Sequence, residues 1–223
     1  VWINQEGAEW AAAEFGMVVR ASHPVVAERA TYISSNGTFE AGETSVGVHA
    51  PAVDWYFAEG VAGPMFDSYL LLGNPSDTMA EVQVRFLTDS GTPIVRTYPV
   101  APRSRETVRI NQEADWAPRE GFGMHVRSTN GVAIVAERAM WWSTDGEDGW
   151  EEGHGSSGVS QLGTAYAIGD GVAGGAHGAA TYVLIANPGQ TATRVRVTLA
   201  FEDGTAPAVG DFDVAADGRL TLD

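Results

Sequence analysis

The sequence contains no cysteine and no lysine, and each absence narrows what the chain can do. Without cysteine there are no disulfides, no thiolate metal ligands and no cysteine nucleophile. The 13 basic residues, all arginine, are outnumbered by 29 acidic residues, which gives a net charge of −16. Because such a surface repels phosphate backbones, we expect no nucleic-acid partner. No apolar run approaches the roughly 20 residues of a membrane span, so we expect no membrane insertion by this segment.

The most informative feature that is present is an internal repeat. Three segments occur twice with nearly the same residues: Val1–Glu6 as Val108–Glu113, Phe15–Arg20 as Phe122–Arg127, and Val26–Ala30 as Val135–Ala139. Two more pairs follow along the chain: Ser45–Val48 with Ser156–Val159, and Tyr69–Pro75 with Tyr182–Pro188. A period of about 110 residues is too long for one turn of a solenoid and suits an independent domain. The sequence therefore predicts a protein of tandem modules.

The secondary-structure signal within each repeat has a period of two. Apolar and polar residues alternate in AEVQVRF at 80–86 and in RVRVTL at 194–199, as in half-buried strands. Turn sequences follow both segments, and Asn-Pro pairs end two apolar runs, because proline cannot continue a central strand. This pattern predicts an all-β fold of tandem immunoglobulin-like antiparallel β-sandwich modules.

The spacing of the repeats predicts the organisation of the chain. Its parts are residues 1–33, the C-terminal half of a module; 34–54, a linker; 55–142, a complete module; 143–163, an acidic linker rich in glycine and serine; and 164–223, the N-terminal half of a module, complementary to 1–33. Each half alone would expose an apolar face and unpaired strand edges. The halves could join within one chain, or between chains in a head-to-tail filament, and we favour the filament.

Three motifs carry a resemblance to known sequences. They are Trp55–Gly60 (WYFAEG), Phe66–Pro75 (FDSYLLLGNP) and Val135–Trp141 (VAERAMW). Together they resemble the uncharacterised tandem repeats of large bacterial secreted and cell-surface proteins. The resemblance implies an extracellular β-sandwich. The third copy departs from this pattern, because Tyr166–Gly171 (YAIGDG) stands where WYFAEG would be.

Charged residues within the motifs predict structural ion pairs. Neighbours in a strand face opposite sides, so one of Glu137 and Arg138 must face the core. A buried arginine needs a carboxylate, and we expect Glu59 to pair with Arg138. By the same reasoning Asp170, at the equivalent motif position, should meet Arg29 if the half-modules join. The alternative, a catalytic acid, lacks a second carboxylate placed by any recognisable motif.

Two further groups of residues admit a binding interpretation. Asp145, Glu147 and Asp148 in the acidic linker could supply oxygen ligands to calcium, but their spacing does not match known calcium loops, and a solvated loop is the simpler interpretation. The second group, candidates for carbohydrate or interface contact, is Trp141, Trp142 and Trp150. Core packing is the competing interpretation for these rings.

We therefore expect a non-catalytic structural or adhesive repeat of a bacterial extracellular or cell-surface protein. Its partners would be identical subunits or neighbouring modules, and glycans are the second class of partner considered. The alternative function is a carbohydrate-binding module that uses exposed tryptophans. We expect no enzymatic activity and no cofactor, apart from the calcium considered above.

Overall fold

The computed structural model describes residues 3–10, 12–35, 38–113, 120–143, 149–176 and 178–223. The strands are β1 (Glu28–Ser35), β2 (Thr38–Val46), β3 (Asp54–Phe57), β4 (Val61–Ala62), β5 (Phe66–Asn74), β6 (Ala80–Leu87), β7 (Ile94–Val100), β8 (Ser104–Arg109), β9 (Glu120–Gly121), β10 (Gly123–Ser128), β11 (Val135–Trp142), β12 (Glu152–Ser157), β13 (Val183–Asn187), β14 (Thr193–Leu199), β15 (Ala208–Val214) and β16 (Gly218–Leu222). Helical structure is limited, in these residues, to α1 (Ile3–Glu6) and two 3-10 turns, Ala8–Trp10 and Ile110–Gln112. Among the described residues no helix has the length and apolarity to cross a bilayer.

The middle of the chain is a β-sandwich of two four-stranded antiparallel sheets. The first sheet has the order β3-β10-β6-β7 and the second has the order β12-β11-β5-β8. Alternation along each strand sends apolar side chains into the space between the sheets, as with Val82, Val84 and Phe86 on β6, all at most 1% exposed. The chain is thus an all-β protein, as the period of two predicts.

The two sheets share one core. Leu70 and Leu72 of the second sheet pack in the same buried cluster as Trp55 and Met124 of the first. The Trp55 ring nitrogen donates a hydrogen bond of 2.9 Å to the backbone carbonyl of Ile134, so this large side chain is buried without an unpaired polar atom.

Both segments predicted to be linkers contain a strand, and that part of the prediction was wrong. Strand β12 lies within residues 143–163 and pairs with β11 as the edge strand of the second sheet. Strand β2 lies within residues 34–54 and forms an antiparallel hairpin with β1. Strand β12 lacks apolar alternation because main-chain pairing with β11 holds it in the sheet. Its residues Gly153 and Gly155 leave room for β2 to pack closely against it.

The β1–β2 hairpin packs against the outer face of the second sheet. Ala41 of β2 forms a small buried cluster with Ala139 and Trp141 of β11. Ser45 and Ser157 join β2 to β12 through their hydroxyls, which are 3.0 Å apart. The sandwich therefore carries a third layer over part of its second sheet.

The four C-terminal strands form two separate two-stranded sheets, β13-β16 and β14-β15. They meet the first sheet of the sandwich near the end of β6, where Thr88 and Gly218 form a bridge. Arg85 also forms an ion pair with Asp217 at this contact. The C-terminal strands lie against the sandwich without adding to either of its sheets.

Candidate functional site

The WYFAEG motif has structural contacts along its length. Trp55 and Phe57 belong to the core, and Glu59 lies at its edge. At Gly60, a Cβ atom would lie 2.1 Å from the ring of Phe122, so a side chain there would collide with a fully buried phenyl ring. The motif thus fixes the end of β3 against the core.

The structure brings Glu59 and Arg138 together. Arg138 Nη2 lies 3.0 Å from Glu59 Oε2, and the arginine side chain is 2% exposed while that of the glutamate is 29% exposed. His154 of β12 completes the cluster, with its Nδ1 atom 3.3 Å from the same carboxylate oxygen. Arg138 is buried as expected, whereas Glu59 reaches the surface on one side.

Burial and neighbouring charges shift the pKa values of Glu59 and Arg138 in opposite directions. Burial by itself would raise the pKa of Glu59, but the hydrogen bond from His154 and the charge of Arg138 outweigh it and hold that pKa below its ordinary value. Burial lowers the pKa of Arg138, and the charge of Glu59 opposes part of this effect. The pair has the properties of a structural ion pair at the edge of the core.

Arg29 does not meet Asp170 within this chain, and the half-modules whose joining that pairing required do not join in it. Arg29 forms an ion pair with Glu43 on the partner strand of its own hairpin and lies 3.1 Å from Glu137 Oε2 on β11. Asp170 is exposed. The physical reason is that the hairpin lies on the outer face of the sandwich, where two closer carboxylates neutralise Arg29.

Glu43 and His154, which no sequence motif indicated, occupy equivalent positions in the two repeats. The matching segments Ser45–Val48 and Ser156–Val159 contain the signal, since Glu43 and His154 each stand two residues before them. Both residues line a cleft of about 420 Å³ between the hairpin and β12. Its other lining residues are Tyr32, Gly42, Thr44, Gly153 and Gly155.

The three tryptophans do not form a common exposed platform. Trp141 is 6% exposed, beneath the hairpin. Trp150 stacks on it with ring centroids 5.8 Å apart and donates a 3.0 Å hydrogen bond to Asp67. Trp142 packs against Phe66. Packing between layers accounts for Trp141 and Trp150.

The predicted calcium ligands Asp145, Glu147 and Asp148 lie outside the described residues. Within the described ranges, no group of three or more histidine and acidic side chains is arranged to hold a metal ion.

The C-terminal strands pair in the same register as their sequence equivalents in the sandwich. In β13 and β16, Asn187 lies opposite Gly218, as Asn74 lies opposite Ser104 in β5 and β8. In β14 and β15, Thr193 lies opposite Val214, which matches Ala80 opposite Val100. The segment 183–222 thus reproduces the pairing of β5 with β8 and of β6 with β7.

The Asn-Pro turn is also built the same way twice. Asn74 Nδ2 donates to the carbonyls of Thr78 at 2.8 Å and Val100 at 3.0 Å. At the equivalent positions of the second turn, Asn187 Nδ2 donates to the carbonyls of Thr191 at 2.8 Å and Val214 at 3.4 Å. The asparagine in each motif therefore ties a strand end to its neighbours.

The N-terminal repeat of the β10 sequence does not form a strand. Residues 13–21 are neither helix nor strand, although Phe15–Arg20 repeats the sequence of β10. Phe15, Met17 and Val19 are 41%, 49% and 65% exposed. Their sequence equivalents on β10, Phe122, Met124 and Val126, are all 0% exposed. A segment with the residues of a core strand therefore lies on the surface without a sheet to join.

The solved structures that this chain resembles include two remote matches. The crystal structure of Thermotoga maritima 1070 is 16% identical and has a TM-score of 0.44, over 50% of this chain and 96% of that one. The Anabaena sensory rhodopsin transducer is 21% identical with a TM-score of 0.36, over 41% of this chain and 91% of that one. At these TM-scores neither similarity carries a functional inference. No curated protein sequence matches the chain.

A family model does match. The model of a family of unknown function, DUF5719, aligns with residues 40–220, which include the whole sandwich and nearly all of the C-terminal strands. The chain therefore belongs to the DUF5719 family.

Proposed function

We propose that this chain is a non-catalytic structural segment of a bacterial extracellular or cell-surface protein, built from repeats of one immunoglobulin-like sandwich module and able to associate with itself. The observation that carries the proposal is the repetition of the module within one chain. Residues 183–222 reproduce the pairing and register of β5 with β8 and of β6 with β7, and residues 15–46 repeat segments of β10, β11 and β12.

The second half supports the proposal through its hairpin. In β1 and β2, Arg29 lies opposite Ser45, and in β11 and β12, Arg138 lies opposite Ser156. These pairs occupy the same positions in the repeated sequence. The two hairpins are thus equivalent units, one inside the sandwich and one outside it.

The repeated motifs support a structural role because their distinctive residues have partners within the fold. Trp55 and Asn74 complete buried hydrogen bonds, and Gly60 makes room for Phe122. Asn111, in the repeated INQE segment, accepts a 2.9 Å hydrogen bond from the backbone of Ser68. Gly60, Asn74 and Asn111 recur in the chain as Gly171, Asn187 and Asn4, which supports a structural role for the repeated positions.

The extracellular location rests on the resemblance of the motifs to repeats of bacterial surface proteins and on the acidic surface. A net charge of −16 favours solubility and repels the phosphate groups of nucleic acid. An adhesive role would add a ligand-binding surface to the structural one. Antibodies against this segment that label intact cells of the source bacterium would support the location, and labelling only after lysis would contradict it.

Self-association is tested by size-exclusion chromatography with multi-angle light scattering over a hundredfold range of concentration. We expect the mass to rise above the 23.6 kDa of one chain as the concentration increases. Association that survives at high salt would be consistent with burial of apolar strand faces. A mass that stays at that of one chain throughout would contradict the proposal.

A further inference from the structure

The outer face of the second sheet contacts the part of the chain that precedes the sandwich. Glu14 Oε2 lies 3.4 Å from Arg105 Nη1 and 3.2 Å from Thr107 Oγ1, both on β8. Thr107 lies opposite Leu71 of β5, and Leu71 packs in the cluster that the β1–β2 hairpin forms with Trp141. Two segments of the preceding repeat therefore meet the sandwich on one face of one sheet.

The C-terminal strands contain the equivalents of Arg105 and Thr107. Strand β16 pairs with β13 in the register of β8 with β5, which makes Arg219 and Thr221 the equivalent residues. In both copies the Nη2 atom of the arginine donates a hydrogen bond to the hydroxyl of the threonine two residues later. The two arginine side chains thus have the same partner on their own strands.

Arg219 fits a site on the sandwich, which is the module that precedes it. Its side chain is 4% exposed, and its Nη1 atom lies 3.4 Å from Asp89 Oδ1, just after β6. A Cβ atom on Gly121 would overlap the same nitrogen, so the guanidinium occupies space that a side chain at residue 121 would fill. Burial lowers the pKa of Arg219, and the charges of Asp89 and Glu59 oppose this shift. The site is therefore close-fitting and negatively charged.

The two arginines contact the same position of the repeat that precedes each of them. Residue 121 corresponds to residue 14, since Gly121 stands directly before FGMHVR and Glu14 directly before FGMVVR. Arg105 meets its carboxylate at that position, in Glu14 itself. Arg219 meets a glycine there and takes its carboxylate from Asp89. Two junctions along one chain thus use the same arginine against the same segment.

We propose that this arginine, Arg105 in the sandwich and Arg219 in the C-terminal strands, is the joint that fixes each module on the module before it. The inference rests on the repeated module of the proposed function and names the surface that connects consecutive copies. Domains that share a small interface move relative to one another by default, and a buried, charge-paired arginine restricts that motion. Consecutive modules then stack with one repeated geometry and form a stiff rod.

Paired spin labels test the joint, because the chain has no cysteine of its own. Labels on Thr97→Cys and Thr198→Cys report the junction of the sandwich with the C-terminal strands. Labels on Ala12→Cys and Thr97→Cys report the junction with the N-terminal repeat. All three positions are exposed. Distances are measured by pulsed electron paramagnetic resonance, with labelled chains diluted in excess unlabelled chain so that each distance lies within one molecule.

Both label pairs should give a narrow distance distribution in the otherwise unchanged chain. Arg219→Gln should broaden the 97–198 distribution by about twofold or more and leave the 12–97 distribution unchanged, and Arg105→Gln should do the reverse. Gly121→Leu should broaden the 97–198 distribution as Arg219→Gln does, because it fills the arginine site from the side of the sandwich.

Arg196→Gln is the matched control, since Arg196 is exposed and pairs with Asp211 of its own hairpin. It should leave both distributions unchanged. Broad distributions at both junctions before any substitution would overturn the inference. A junction that keeps its narrow distribution when its own arginine is replaced would also overturn it.

Light scattering of the same samples separates this inference from the self-association proposed above. If the chains stay single while each arginine variant loosens its own junction, the joint stands and self-association fails. If the chains associate while the junctions do not respond, self-association stands and the joint fails.

Discussion

Arg138 of the VAERAMW motif and Glu59 of the WYFAEG motif form an ion pair at the edge of the sandwich, with Nη2 and Oε2 3.0 Å apart. Glu59 follows β3 of the first sheet, and Arg138 lies in β11 of the second. The pair therefore links the two sheets at a point where the arginine is buried and the carboxylate is partly open to water.

Replacement of Arg138 by alanine should destabilise the sandwich by about 3–5 kcal/mol, because it leaves Glu59 without its buried partner and empties the space of a large side chain. Urea denaturation of wild type and variant measures this difference. Arg127→Ala is the matched control, since Arg127 is 57% exposed and lies 3.7 Å from Asp54. Its effect should stay within about 1 kcal/mol. Similar losses for both variants would contradict the structural role of the buried pair.

Protonation of Glu59 should account for part of the loss of stability in acid. The folded-state pKa of Glu59 lies below its ordinary value, so its contribution to stability is complete above the unfolded-state pKa and is lost as the pH falls through the lower folded-state pKa. Between pH 6 and pH 3, Glu59→Gln should therefore lose less free energy of unfolding than wild type. Glu106→Gln, which removes an exposed carboxylate on β8, should lose as much as wild type. If Glu59→Gln also lost as much, the pair would not contribute to the acid dependence.

Gly155→Ala should release the β1–β2 hairpin from the sandwich. A Cβ atom at residue 155 would lie 1.5 Å from Glu43 Oε2, a buried carboxylate that holds Arg29. Hydrogen exchange of the hairpin amides should become at least tenfold faster while the amides of β5 and β6 keep their protection. Gly73→Ala is the control, because its nearest neighbour would be Val135 Cβ at 3.8 Å, an ordinary contact. Unchanged protection of the hairpin in Gly155→Ala would contradict the packing described for the third layer.

The sequence predicts those parts of the fold that depend on local pattern. Alternation in residues 80–86 indicates a strand, and β6 forms there with its apolar residues inside. The pairing of Glu59 with Arg138 could also be predicted, because a buried arginine requires a nearby carboxylate. Both predictions follow from physical requirements that can be recognised in a single sequence.

Other parts depend on packing that no local pattern displays. Strand β12 has the sequence EGHGSS, which contains no apolar residue, so its place in the sheet comes from pairing with β11. Arg29 could in principle meet any of many acids, and its selection of Glu43 and Glu137 follows from where the hairpin docks. Residues 15–20 have the pattern of a core strand, yet they form none, because a strand requires a neighbouring edge as well as a suitable sequence.

The most direct test of the account is the mass of the protein in solution, measured by light scattering as the concentration is raised a hundredfold. The account proposes that the chain associates with itself, and the side chains of Met17 and Val19 are 49% and 65% exposed. We predict that the mass rises above the 23.6 kDa of one chain, and that Met17→Asp reduces the rise because it places a charge on this apolar surface. The mass of one chain at every concentration would contradict the account.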